Sequence, residues 1–175
     1  MINRSVSAVL HYAKEQLHGF ETGNLDAEVL LMHVLKVSRP IILAWPDRQL
    51  TDADVTEFEN LISRRLNHEP VAYLTGRQAF HDVVLQVSPD VLIPRPETEH
   101  VVDWVLETYG DATELKVVDL GTGSGAIAIA LAKANPHWQI IATDRCEKAL
   151  AVARDNASFY QLDNIVFHLG DWCDA

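Results

Sequence analysis

The run Asp119-Leu120-Gly121-Thr122-Gly123-Ser124-Gly125 is the stretch of this sequence best suited to hold a ligand. Its glycines, spaced G-x-G-x-G, lack a Cβ, so the backbone can turn sharply and approach a bound molecule closely. The run follows a β-prone segment and opens a small-residue helical one, the context such a turn requires. Amides exposed at the start of a helix favour an anionic group such as a carboxylate. The spacing is one residue shorter than the GxGxxG of dinucleotide sites, which favours S-adenosylmethionine over NAD or FAD.

Two further groups fall where such a ligand needs them. About 20 residues past the motif a second β-prone segment ends in Asp144, where a ribose-binding acid belongs. A carboxylate there can accept from both ribose hydroxyls, and position and residue type agree on that role; the alternative is a cap for the helix that begins near Glu147. A third segment ends in Gly170-Asp171-Trp172. Asp171 can accept from an adenine amino group, and Trp172 can wall the base or simply pack beside a turn. Asp119 reads as an inward-facing polar group that orders the glycine turn.

Positioning these residues requires alternating strands and helices. Apolar runs at residues 115–120, 139–143 and 165–169 are separated by helical patterns over 124–134 and 147–160. Alternation at these lengths predicts right-handed βαβ units and a parallel sheet. Three strands with one face covered by two helices make an incomplete doubly wound domain with an open edge. With Ala175 following so soon after the third strand, a piece of a longer chain is expected. A helix over 97–109 precedes the strands, after Pro94-Arg95-Pro96. Between residues 80 and 93, Val83-Val84-Leu85-Gln86-Val87 and Val91-Leu92-Ile93 flank Ser88-Pro89-Asp90, which predicts a hairpin.

The first 78 residues show helical periodicity. Over 5–18, Val6, Val9, Leu10, Ala13 and Leu17 share a face, Ser5 can cap the start, and Gly19 can end the helix in a left-handed conformation. A second helix spans 25–37, a short third starts at Pro40, and Thr51 with Asp54 resembles a capping box for a fourth bearing Val55, Phe58, Ile62 and Leu66. Glu69-Pro70 closes it. The division is thus 1–78 helical bundle, 79–94 hairpin linker and 95–175 α/β domain.

Composition narrows the function. The 175 residues carry a net charge of -11, and 48% are hydrophobic. Residues 1–85 hold 8 Lys+Arg against 11 Asp+Glu, a net of -3; the remainder holds 6 against 14, a net of -8. Nonspecific nucleic-acid binding draws on a basic surplus, which is lacking, so no direct nucleic-acid contact is expected. Arg64 and Arg65 could form a local basic patch but fit the solvated face of a helix. Cys146 and Cys173 suggest no disulfide framework, and the histidines show no metal-ligand spacing. Neither a signal peptide nor a run of ~20 apolar residues is visible, so a cytoplasmic monomer away from membranes is expected.

On these motifs the sequence resembles the bacterial peptide-chain-release-factor glutamine-N5 methyltransferases, the PrmC/HemK family. The resemblance rests on Asp26-Ala27-Glu28-Val29-Leu30-Leu31, on Arg64-Arg65 followed by Glu69-Pro70-Val71-Ala72-Tyr73-Leu74-Thr75-Gly76, and on Val91-Leu92-Ile93-Pro94-Arg95-Pro96-Glu97-Thr98-Glu99 ahead of the glycine motif. It implies a helical bundle that docks a class 1 release factor, a β-hairpin linker, and a class I Rossmann-like methyltransferase domain truncated after its first three parallel strands. It implies methylation of the glutamine side-chain nitrogen in the release factor's GGQ motif, which acts on translation termination. Gly121, Thr122, Gly123, Ser124 and Gly125 would line S-adenosylmethionine, with Asp144 on the ribose and Trp172 near the adenine. Arg95 and Glu97 would lie at the active-site mouth, or pair with each other to steady a helix start.

Two departures stand out. Where the family often has Phe-Trp-Gly, this chain has Phe80-His81-Asp82. The family's Asn-Pro-Pro-Tyr motif, whose Asn and neighbouring carbonyl orient the amide nitrogen, does not occur in the 175 residues. The resemblance places it after the next strand, beyond Ala175. No catalytic residue is therefore expected among these residues, and the chain alone is expected to be inactive. The alternatives are an Asn-Pro-Pro-Tyr methyltransferase acting on adenine or guanine in nucleic acid, a dinucleotide-dependent oxidoreductase, and a noncatalytic binding module.

Overall fold

In the computed structural model, residues 4–172 are described, and the chain divides into two compact units at Thr75/Gly76. Two residues named above, Cys173 and Ala175, lie outside the described residues. The expectation that the Asn-Pro-Pro-Tyr motif follows Ala175 therefore has no counterpart in the structure. Unit one is helical: α1 (Val6–Gln16), α2 (Gly23–Leu35), α3 (Arg39–Ala44), α4 (Asp52–Leu66) and α5 (Val71–Thr75). Ser5 caps α1 through the Ala8 amide, and Thr51 and Asp54 form the reciprocal capping box of α4. Gly19 does not adopt the expected left-handed conformation; the cap of α1 falls on Leu17, with φ -91°. The helix α5 follows Pro70 directly, and its five residues are too few to display a period in the sequence.

Leu10, Leu17, Leu30, Leu31, Phe58 and Ile62 fill the core of this unit. Two acids are buried with it, and both are paired, as buried charge must be. Asp26 accepts from Arg65 Nε at 2.8 Å, and the Arg65 guanidinium lies 4.2 Å from the Phe20 ring centroid. Glu28 accepts from Lys14 at 2.6 Å and Arg39 at 2.7 Å. The Lys14 hydrogen bond, opposed by burial and aided by Arg39, holds the Glu28 carboxyl below its ordinary value. Arg64 faces solvent and pairs with Glu69, but Arg65 does not lie on a solvated face: its side chain is 15% exposed.

Unit two opens with a hairpin of β1 (Arg77–Phe80) and β2 (Val83–Gln86), antiparallel with Phe80 opposite Val83. The hairpin thus sits one segment earlier than expected. Its turn is His81-Asp82, not Ser88-Pro89-Asp90, and residues 91–93 form no strand. His81 takes φ +50° and supplies the left-handed residue of a two-residue turn. His81 is held there by Asp82 and by Asp103, each at 3.2 Å, and Lys133 binds Asp82 at 2.7 Å.

After a 3-10 turn at Pro96–Thr98 come α6 (Glu99–Tyr109), β3 (Lys116–Leu120), α7 (Ala126–Ala134), β4 (Gln139–Asp144), α8 (Glu147–Phe159) and β5 (Ile165–Leu169). The strands form a parallel sheet in the order β3-β4-β5, as the alternation predicted. The register aligns Val117, Ile140 and Ile165 in one row, with Ile140 1% exposed beneath the helices. The neighbouring row, Val118, Ile141 and Val166, lies on the opposite face, where Val118 is 55% exposed. Alanines 128, 130 and 132 let α7 approach closely, while Trp138, wholly buried, donates from Nε1 to the Ala112 carbonyl at 3.1 Å.

Candidate functional site

A parallel sheet brings the carboxyl ends of its strands to one edge, and ligands of open α/β sheets bind outside that edge. The register places Leu120 opposite Thr143, and Asp144 opposite Leu169. Beyond these tips lies a cavity of about 420 Å³ lined by Leu120, Gly121, Asp144, Arg145, Gly170, Asp171 and Trp172. That volume falls within the ~300–1,000 Å³ common to small-molecule sites.

The glycine turn owes its shape to positive φ at three positions: +76° at Gly121, +56° at Gly123 and +85° at Gly125. It is fastened from the sheet side, where the amides of Gly121 and Thr122 donate to the Thr143 carbonyl at 2.9 and 2.8 Å. A Cβ built on Gly121 or Gly123 would meet nothing within 4 Å, so open space lies before both. At Gly125 a Cβ would come 2.8 Å from Ile129 Cδ1, so this glycine serves packing rather than access.

Asp144 is half-buried and already employed. Its Oδ2 accepts from the Gly123 amide and its Oδ1 from the Cys146 amide, each at 2.9 Å. The second bond closes a turn just ahead of α8, whose N-cap, Cys146, has no side-chain cap hydrogen bond, so Asp144 is not the cap of that helix. A carboxylate oxygen can accept more than one bond, so each retains capacity for a hydroxyl. Asp119 accepts from the Thr122 hydroxyl at 2.7 Å, as expected of a group that orders the turn. Burial raises its carboxyl above the ordinary value; the Thr122 and Ala128 donors oppose this, and the Asp144 charge adds to it.

Gly121, Asp144, Asp171 and Trp172 therefore come together at the cavity, whereas Asp119, Thr122, Gly123, Ser124 and Gly125 are not among its lining residues. Thr122 and Ser124 are buried and act on the turn's shape rather than its surface. Trp172 does not pack beside a turn: it is 69% exposed, at the cavity. Arg95 and Glu97 are both exposed, and neither is among the residues that line the cavity. Leu120 and Gly170, which lie within the runs named above, and Arg145, which does not, complete the lining. Each is adjacent in sequence to an expected residue, which is the signal that could have found them. Among the described residues no group of three metal-binding side chains is present, and no helix is long and apolar enough to cross a membrane.

Comparison with known proteins matches residues 8–76 to the PrmC N-terminal domain and residues 111–175 to a methyltransferase domain. A release factor glutamine methyltransferase of Coxiella burnetii is 46% identical over 155 residues, covering 89% of this chain and 56% of that protein. One so named from Escherichia coli K12 is 42% identical over 166 residues, covering 95% and 60%. One from Aliivibrio fischeri is 38% identical over 170 residues, covering 96% and 60%. The chain thus spans less than two thirds of the length of these relatives.

Proposed function

The chain belongs to the PrmC family, joining that family's N-terminal domain to a methyltransferase domain, and from this premise we propose that it binds S-adenosylmethionine and a release factor for methylation of a glutamine side chain. The observation that carries the reading is the cavity at three adjacent strand tips, where a bare-backbone turn, the Asp144 carboxylate and the exposed Trp172 indole meet. Asp144 accepts from the ribose hydroxyls, Trp172 covers the adenine, and Asp171 accepts from its amino group. Two lining carboxylates, Asp144 and Asp171, against one cation, Arg145, suit a ligand bearing sulfonium and ammonium charges and repel a pyrophosphate. Bound there, S-adenosylmethionine would supply an electrophilic methyl group.

An amide nitrogen is a weak nucleophile because its lone pair is delocalised, so the acceptor glutamine must be oriented by hydrogen-bond acceptors. The Asn-Pro-Pro-Tyr groups that do this in the family are absent from these 175 residues. The chain's own part is then to hold the cofactor and to dock the release factor on its helical unit, with Arg95 and Glu97 near the mouth of the site. The groove between α1 and α4, where Val9, Tyr12, Val55 and Phe58 are flanked by Arg4, Asp52 and Glu59, offers a surface of mixed polarity for docking. Tyr12 is 55% exposed there and is the residue type that anchors interfaces well.

The test offers tritiated S-adenosylmethionine with a class 1 release factor, or with ribosomal RNA, to this chain and to a version extended to the relatives' full length. The reading expects label on the release-factor glutamine from the extended protein only. Label on RNA, or on neither acceptor, would refute it.

A further inference from the structure

Asn156 lies on α8, outside the cavity, and is 1% exposed. Its side-chain amide is fully used. Nδ2 donates to the Ser124 carbonyl at 2.9 Å and to the Gln86 carbonyl at 3.0 Å, and Oδ1 accepts from the Gln86 amide at 2.7 Å. Two carbonyls facing one end and an N–H facing the other fix the amide in a single orientation. Ser124 stands between Gly123 and Gly125, both left-handed, so its carbonyl belongs to the part of the turn whose backbone departs furthest from ordinary geometry. The Gly125 amide, on the same peptide unit, donates to the Thr122 carbonyl at 2.9 Å. That peptide plane is therefore held at both ends, and Asn156 is the side chain holding it from behind.

We propose that Asn156 is a positioning residue: it holds the glycine turn in the shape that receives the cofactor and registers that turn against the hairpin strand β2. This rests on the reading of the cavity as an S-adenosylmethionine site. Cofactor affinity then depends on a side chain that does not touch the cavity. A built-in comparison is available one helical turn on. The Tyr160 hydroxyl accepts from the Val84 amide at 2.7 Å and donates to the Val84 carbonyl at 3.0 Å. Tyr160 thus ties the same strand to the same end of the chain but makes no bond to the glycine turn. A role confined to stability would make the two residues equivalent for ligand binding.

The experiment titrates the chain, and its Asn156→Ala, Asn156→Asp and Tyr160→Phe variants, calorimetrically with S-adenosylmethionine, alongside thermal unfolding. Both alanine and phenylalanine variants are expected to melt earlier, but only the Asn156 variants should lose affinity, by tenfold or more. In Asn156→Asp an ionised carboxylate would face two carbonyls, whereas a protonated one can donate to the Ser124 oxygen. Its affinity should therefore improve as pH falls, a trend the wild type lacks, and this holds the proposal open to test should Asn156→Ala not fold. Affinity within twofold of wild type in the Asn156 variants, or an equal loss in Tyr160→Phe, would overturn the proposal. No heat with the wild-type chain would remove the cofactor reading, and this proposal with it.

Discussion

Gly125→Ala and Gly121→Ala should fail in different ways. Both glycines have positive φ, +85° and +76°, so an alanine at either costs about 1–2 kcal/mol of backbone strain. At Gly125 the new methyl would also sit 2.8 Å from Ile129 Cδ1 and 3.3 Å from Ala153 Cβ. Ile129 and Ala153 are wholly buried and cannot swing into solvent. Overpacking of this kind adds about 1–3 kcal/mol. Gly121→Ala meets nothing within 4 Å, so strain is its whole cost to folding, but its methyl enters the space before the turn. Each kcal/mol moves the melting temperature of a domain this size by about 4–8 °C. Gly125→Ala should thus melt roughly 8–40 °C below wild type and Gly121→Ala only about 4–16 °C below. Gly121→Ala should nevertheless bind S-adenosylmethionine at least about tenfold more weakly, or ~1.4 kcal/mol. Unfolding can be followed by tryptophan fluorescence, since Trp138 alone of the four tryptophans is wholly buried. Equal melting of the two variants, or unchanged affinity in Gly121→Ala, would show that the turn's geometry has been misassigned.

Other perturbations separate the roles of single residues. Asp144→Asn should weaken S-adenosylmethionine binding by roughly tenfold to about 140-fold, since loss of one charged hydrogen bond costs about 1.5–3 kcal/mol; unaltered calorimetric affinity would remove the ribose role. Trp172→Ala, at a position 69% exposed, should leave the melting temperature within about a degree yet weaken binding by ~1–3 kcal/mol, the usual worth of base stacking. A fall in stability without a fall in affinity would make that indole structural after all. Glu28→Gln should cost about 1–3 kcal/mol near neutral pH, because the amide keeps one acceptor oxygen, removes the charge, and leaves either Lys14 or Arg39 facing an NH2 group. Because the folded Glu28 carboxyl titrates below its ordinary value of 4.5, its stabilisation is present above that value and lost as pH falls through the lower folded one. The gap between wild type and Glu28→Gln in urea melts should therefore close on acidification below about pH 4.5; a gap constant down to pH 3 would contradict the pairing.

Much of the site was legible because its cues are local. The glycine run needs positive φ, and Asp144, Asp171 and Trp172 each end a β-prone segment, so a parallel sheet is enough to gather them. The capping box at Thr51 and Asp54 was legible for the same reason. What sequence could not show depends on contacts between distant segments. Asn156 is an ordinary polar residue in a helical pattern until folding brings it to Gln86 and Ser124, 70 and 32 residues away. Arg65 looks solvent-facing until Asp26, 39 residues earlier, claims it. The hairpin was misplaced because Ser88-Pro89-Asp90 carries stronger turn chemistry than His81-Asp82. Asp103 and Lys133 stabilise the latter from afar.

The central claim is that the cavity at the tips of β3, β4 and β5 holds an adenosine-bearing sulfonium ligand. A crystal structure of this chain grown with S-adenosylmethionine tests it most directly. The account predicts the ribose hydroxyls within hydrogen-bonding distance of Asp144, the adenine against Trp172, and the amino-acid end before Gly121. Ligand density elsewhere, or an empty cavity at saturating ligand, would contradict it.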